Sequence, residues 1–306
     1  MQEGLWQGPV VDAHHHFWDP TENLYPWLEP GVTVPHRYGE YEAIKRRYDP
    51  EDYRRDTQGH DVVESVYVEA EWSPDDPIGE TRYVHGLARR YGYPHAVVAQ
   101  AWLHHDDAAH VLAQQAAFPL VRSVRHKPGG PARPQDVGGE RTLMSDERWR
   151  RGYAALQAHG LHFDLQTPWW NLHEAVALAR DFPGVTIILN HAGLPTDRSP
   201  EGLAGWREAM AALAGQPNTA VKISGLGMRG KPWTVEDNGP IVRDIVAMFG
   251  AQRAMFASNF PVDGLCASFD TIFTGFKRIV ADLPDAQQQA LFCGTARRLY
   301  RTQPAA

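Results

Sequence analysis

The stretch Val10-Val11-Asp12-Ala13-His14-His15-His16-Phe17-Trp18-Asp19 is a short apolar run that ends in three histidines. As a β-strand it sends alternate side chains to opposite faces, so His14 and His16 share one face and His15 takes the other. Two imidazoles at i and i+2 on a strand end can grip one divalent cation, or bind one anionic oxygen between them. Hydrolases that activate a water often begin this way. No glycine lies in 14–19, so the glycine-rich phosphate turn of a doubly wound nucleotide-binding sheet is missing after this strand.

Moving outward, similar apolar, β-branched runs recur at 62–69, 96–103, 120–125, 161–166, 185–190, 220–224 and 254–258, which with 10–14 makes eight. Amphipathic helical patterns separate them at 82–91, 108–117, 146–159, 172–181, 202–214, 238–249 and 269–281. A last helix is expected over 285–300, with Pro284 just before its first turn. Near-continuous hydrophobic strands alternating with helices argue for a parallel sheet buried on both faces. Eight such units in about 300 residues predict an α/β fold of the (β/α)8 TIM-barrel type, one domain over 1–306.

One segment breaks the rhythm. Residues 17–60 form a long insertion after the first strand, rich in tyrosine, tryptophan and proline, with a short helix expected over 41–48. It leaves the C-terminal end of a barrel strand, so it is expected to lie over the mouth as a lid or pocket wall.

Composition narrows the function classes. The chain has 306 residues, 43% hydrophobic and 22% charged, with a formal net charge of -7, which gives no basic footprint for nucleic acid. No apolar segment is long enough to cross a bilayer and no signal peptide opens the chain. Cys266 and Cys293 make no disulfide framework, so a cytoplasmic protein is expected. Partners are then a small-molecule substrate and, given the aromatic insertion, either no second subunit or a homodimer.

Barrel active sites sit at the C-terminal strand ends, and the polar residues collected there are informative. They include His14 and His16, Glu69, Arg125 and Lys127, Trp169 and Trp170, His191, Lys222, and Asn259 with Asp263 four residues on. His14-x-His16, Asn190-His191-Ala192-Gly193-Leu194-Pro195, Lys222-Ile223-Ser224-Gly225-Leu226 and Met255-Phe256-Ala257-Ser258-Asn259-Phe260-Pro261 occur in order along the chain. This set resembles the amidohydrolase-related family (amidohydrolase 2 type), in the branch of sugar lactonases and 2-pyrone-4,6-dicarboxylate lactonase. The resemblance implies a barrel that hydrolyses an ester-like ring, in some members with one divalent metal and in others with none. It also implies an aspartate at the end of strand eight, where this sequence has Asn259, an amide that cannot take a proton at neutral pH.

The expected reaction is opening of a small sugar-acid or dicarboxylate lactone by an activated water. His14, His16 and His191 polarise the carbonyl, either by holding Zn²⁺ or as hydrogen-bond donors, and no organic cofactor is expected. Asp263, or else Glu69, takes the proton, and Asn259 positions water or substrate. Arg125 and Lys127 bind substrate oxygens, Trp18, Trp169 and Trp170 stack on the ring, and Lys222 is a further substrate ligand. Structural alternatives stand beside these roles: Arg125 could be the buried partner of Glu69 or Asp164, and Lys222 an interior charge neutralising Glu69. Competing functions are metal-dependent amide hydrolysis or decarboxylation, and a catalytically weak barrel that binds a small acid.

Overall fold

The computed structural model describes residues 4–302. Eight parallel strands run in chain order, β1 (Val10–His15), β2 (Val62–Val68), β3 (Ala96–Gln100), β4 (Val121–Arg125), β5 (His162–Leu165), β6 (Ile187–Leu189), β7 (Thr219–Ile223) and β8 (Ala254–Phe256). Each lies at an expected position, with bounds that differ from the apolar runs by up to three residues. The ring closes just past β8. There Asn259 N donates to His14 O at 2.7 Å and His16 N donates to Phe260 O at 2.8 Å. The chain is a (β/α)8 TIM barrel.

The outer ring comprises α1 (Pro50–Asp56), α2 (Gly79–Tyr91), α3 (Ala108–Ala116), α4 (Glu147–Ala158), α5 (Leu172–Asp181), α6 (Pro200–Ala214), α7 (Val235–Phe249) and α8 (Phe269–Ile279). Side-chain caps fix several starts: Asp146 accepts from Trp149 N, Ser199 from Gly202 N and Ser268 from Thr271 N. One helix expectation fails. Residues 41–48 hold only a 3-10 turn at Glu42–Ile44, and the regular helix of the insertion is α1, where Asp49 and Asp52 form a capping box around Pro50. The expected helix over 285–300 forms over its whole length, as α9 (Asp285–Gln289), a π turn (Ala290–Gly294) and α10 (Thr295–Tyr300) in unbroken succession.

These C-terminal turns meet the barrel interior. Cys293, Ala296 and Tyr300 pack with Val11, Ala13, Val66, Val98, Ile188, Ala220 and Met255, all buried. Above that apolar layer lies a charged one. Lys222 Nζ is 2.6 Å from Asp164 Oδ1, with both side chains fully buried. Asp164 also accepts from Tyr300 Oη and Asn190 Nδ2. The barrel is therefore packed through its middle, and only its C-terminal mouth is free for a ligand.

Candidate active site

Val11 and Ala13 face the barrel interior, so unbroken alternation would bring His15 in after them. A register shift between Asp12 and His15 interrupts the pairing of β1 with β2. An extra residue of this kind re-aims the side chains beyond it. His14 and His16 thereby face the mouth, and His15 turns outward, bonding Ser65 Oγ at 2.9 Å and packing on Phe17 and Tyr53. Asp12 pins the irregularity by accepting from Ser258 N and Oγ and from Tyr53 Oη. Its carboxyl is pushed up to about 6 by burial.

His14, His16 and His191 come together. The His14 ring centroid is 5.0 Å from that of His16 and 4.6 Å from that of His191. His16 Nδ1–H donates to Val68 O at 2.7 Å, which leaves the Nε2 lone pair free. Asn259 Oδ1 lies 3.3 Å from that nitrogen, so two acceptors stand side by side. His191 Nδ1 is 2.9 Å from Ser224 Oγ, and neither nitrogen of the buried His14 ring has a partner among the described residues. All three rings are held well below the ordinary histidine value, first by burial. Lys222 adds most at His14, Arg125 at His16 and Arg37 at His191. They are neutral at neutral pH.

The two carboxylates expected to act as base do not reach the cavity. Asp263 is buried behind Asn259. Its Oδ1 accepts from Asn259 Nδ2 at 2.7 Å, Tyr38 Oη at 2.9 Å and Arg37 Nη2 at 3.3 Å, and its Oδ2 accepts from Gly225 N at 3.0 Å. With its lone pairs occupied, it orients Asn259. Glu69 accepts from Arg125 Nε, and the two form a buried ion pair. Arg125 Nη1 in turn donates to Gln166 Oε1 at 2.9 Å. Lys222 pairs with Asp164 rather than Glu69 and lies beneath the histidines, away from the ligand space.

A cavity of about 270 Å³ opens above the histidines, lined by His16, Arg125, Lys127, Gln166, His191 and Asn259 from the barrel. Lys127 is paired with Glu71 at 2.9 Å. The insertion supplies a wall through Trp18, Trp27, His36 and Arg37. Trp18 stacks on His16, centroids 5.9 Å apart, and its Nε1–H is held by the carbonyls of Ile44 and Arg46. Trp169 and Trp170 are not in this cavity. They border a separate groove with Pro134, His173 and Gly205, because the turn after β5 carries them outward toward α6. Arg37, Tyr38 and Ser224 were not singled out from sequence; Ser224 sat in a quoted motif, whereas nothing marked the two insertion residues.

The backbone around this cavity is strained. Glu71, His191, Leu194 and Asn259 line it with φ between 52° and 58°, a region costly for residues other than glycine. Strain of this kind persists where surrounding packing over-determines the geometry, as it does at functional sites.

The residues as placed do not fit a resident divalent ion, so the expectation that His14, His16 and His191 ligate zinc is not carried by the geometry. Among the described residues no three His, Cys, Asp or Glu side chains are arranged to hold an ion. The position that would supply an anionic ligand is an amide, and Arg37, Arg125 and Lys222 set a positive field on the imidazoles.

No helix among the described residues is long and apolar enough to cross a membrane. In sequence the chain is 40% identical over 297 residues to the uncharacterized protein y4mH of Sinorhizobium fredii, covering 95% of this chain and 98% of that protein. It is 30% identical over 302 residues to an L-fucono-1,5-lactonase of Burkholderia multivorans, covering 95% of each. In structure it is similar to an amidohydrolase from Burkholderia multivorans solved with bound zinc, with a TM-score of 0.79 and 27% identity over 97% of this chain and all of that one. The amidohydrolase family model matches residues 11–302. Barrel, strand-end residues and sequence agree, and the chain belongs to the amidohydrolase family, as a hydrolase of that superfamily.

Proposed function

We propose that this hydrolase opens the ring of a small sugar-acid or dicarboxylate lactone. The observation that carries the reading is the pair of adjacent acceptors, His16 Nε2 and Asn259 Oδ1, facing a cavity too small for a drug-sized ligand. Two convergent acceptors suit the two hydrogens of one water. The L-fucono-1,5-lactonase relative supports the substrate class.

The step balances without an added reagent. Water gives a proton to His16 Nε2 as its oxygen attacks the lactone carbonyl carbon, and the carbonyl electron pair moves onto oxygen. Asn259, held by Asp263, orients the water. The Ser224 hydroxyl can donate to His191 Nδ1, which leaves Nε2–H to donate to the forming oxyanion. The intermediate collapses by breaking the ring C–O bond, and the proton returns from His16 Nε2 to the ring oxygen. The product hydroxy acid ionises at neutral pH and releases one proton. Arg125 and Lys127 contact the substituents of the ring, and Trp18 fixes the plane of His16.

A pH-indicator assay across 1,4- and 1,5-lactones of sugar acids and a pyrone dicarboxylate tests this. Turnover of at least one substrate is expected, with losses of about 10²–10⁴-fold in His16→Ala and in His191→Ala. Turnover at wild-type rates in both variants would remove the site assignment. Silence across the panel would move the chain to another hydrolysed bond or to the acid-binding reading.

A further inference from the structure

The insertion brings one charged group to the reacting end of the cavity that the lactone-opening step leaves unused. Arg37 lines the cavity with its side chain only 20% exposed. Its guanidinium lies 4.7 Å over the Tyr38 ring, and Nη2 reaches Asp263 Oδ1 at 3.3 Å. That carboxylate is already occupied by Tyr38, Asn259 and Gly225. Arg37 Nη1 is buried and has no acceptor among the described residues. The other cations of the lining differ in this respect, since Arg125 is satisfied by Glu69 and Gln166, and Lys127 by Glu71.

The barrel makes room for this group. A Cβ on Gly225, whose φ is +65°, would stand 2.8 Å from Arg37 Nη1 and 2.9 Å from His191 Cβ. The bare backbone of Gly225 therefore lets the guanidinium and the His191 side chain lie side by side. An unsatisfied buried N–H costs free energy unless a ligand supplies the missing acceptor. A positive charge next to His191 disfavours a proton on that ring, and by the same field favours negative charge on a substrate oxygen there.

We propose that Arg37 is a catalytic residue contributed by the insertion, donating from Nη1 to the lactone carbonyl oxygen as it becomes an oxyanion, beside His191. This rests on the lactonase reading and adds a second donor to it. The positive charge of Arg37 is permanent, so no proton moves through it.

The test is steady-state kinetics of wild type, Arg37→Ala, Arg37→Lys and Tyr38→Phe on the best lactone of the panel, with thermal melts of each. Arg37→Ala is expected to lose about 10²–10³-fold in kcat with KM changed only a few-fold. Added guanidinium ion should restore part of that rate in Arg37→Ala and none in Arg37→Lys. Tyr38→Phe, which removes an Asp263 contact outside the cavity, should lose far less. Should Arg37→Ala fail to fold, Arg37→Lys carries the comparison, with kcat again the parameter that falls. A kcat kept within two-fold, a loss confined to KM, or an equal loss in Tyr38→Phe would overturn the proposal. Absence of wild-type turnover on every lactone would remove the lactonase reading, and the role of Arg37 with it.

Discussion

At the scale of single residues, chemistry follows from protonation state. The imidazoles facing the cavity are held below the ordinary histidine value by burial and by neighbouring cations, so His16 is a free base throughout the neutral range. A base with a lowered pKa loses activity only when pH falls well under 6.5. The kcat/KM profile should therefore be flat from about pH 8 down past the normal histidine range, and an acid limb centred near 6.5 or above would contradict the assignment. Asn259→Asp places a second carboxylate where Nδ2 now lies 2.7 Å from Asp263 Oδ1, and it adds an anionic donor beside His16. Zinc affinity measured by titration calorimetry should rise in that variant; unchanged binding would mean that position 259 does not face the histidines. Much of this was legible in the sequence. The i, i+2 rule paired His14 with His16, and the strand-six motif gave His191. The register shift that turns those side chains inward left no sequence signal, because it depends on how β1 meets β2. Arg37 was illegible for a related reason: a loop of irregular backbone has no period from which to read where a side chain points.

At the scale of elements, buried polar groups set the tolerances. Lys222 and Asp164 neutralise each other in the barrel interior, with Tyr300 of α10 capping the pair from below. Lys222→Met leaves Asp164 as a buried charge without its cation. It should cost about 3–5 kcal/mol in urea unfolding, far more than the loss of a surface pair. Asp49→Ala removes the cap of α1 and should cost about 1 kcal/mol. An equal cost for the two would mean that the interior pair is not buried as described. The sequence Asp49-Pro50-Glu51-Asp52 carries a readable helix start, with its proline at the first position, whereas the expected helix over 41–48 lies just upstream of it. The adjacent Trp169 and Trp170 show the opposite limit. Their type suited a sugar-binding wall, but the short turn after β5 directs both away from the mouth.

At the scale of the whole molecule, the histidines that make the site also make the fold sensitive to acid. His15 and His126 are lowered to about 3 by burial, and His14, His16 and His191 lie well below their usual value. A group whose folded pKa is depressed leaves the unfolded chain holding more protons, so stability falls as pH drops below 6.5. One unit below that value each such histidine costs about 1.4 kcal/mol, or about 7 kcal/mol for the five, against a typical total of about 5–15 kcal/mol. Asp12, raised to about 6, Glu80, raised to about 8, and Asp263, also raised, all by burial, work in the opposite direction and offset part of this as they take up their protons. Circular dichroism should show cooperative loss of structure near about pH 5, and a fully folded protein at about pH 4 would contradict the burial of these rings. The central claim is that the chain's own neutral imidazoles and Asn259 activate the water. The direct measurement is lactone hydrolysis, followed by proton release, on protein exhaustively treated with chelator and assayed for bound metal. The account predicts that the metal-free protein keeps its full rate and that added Zn²⁺ does not raise it. Loss of activity on chelation, restored in proportion to zinc bound, would contradict it and make the histidines ligands.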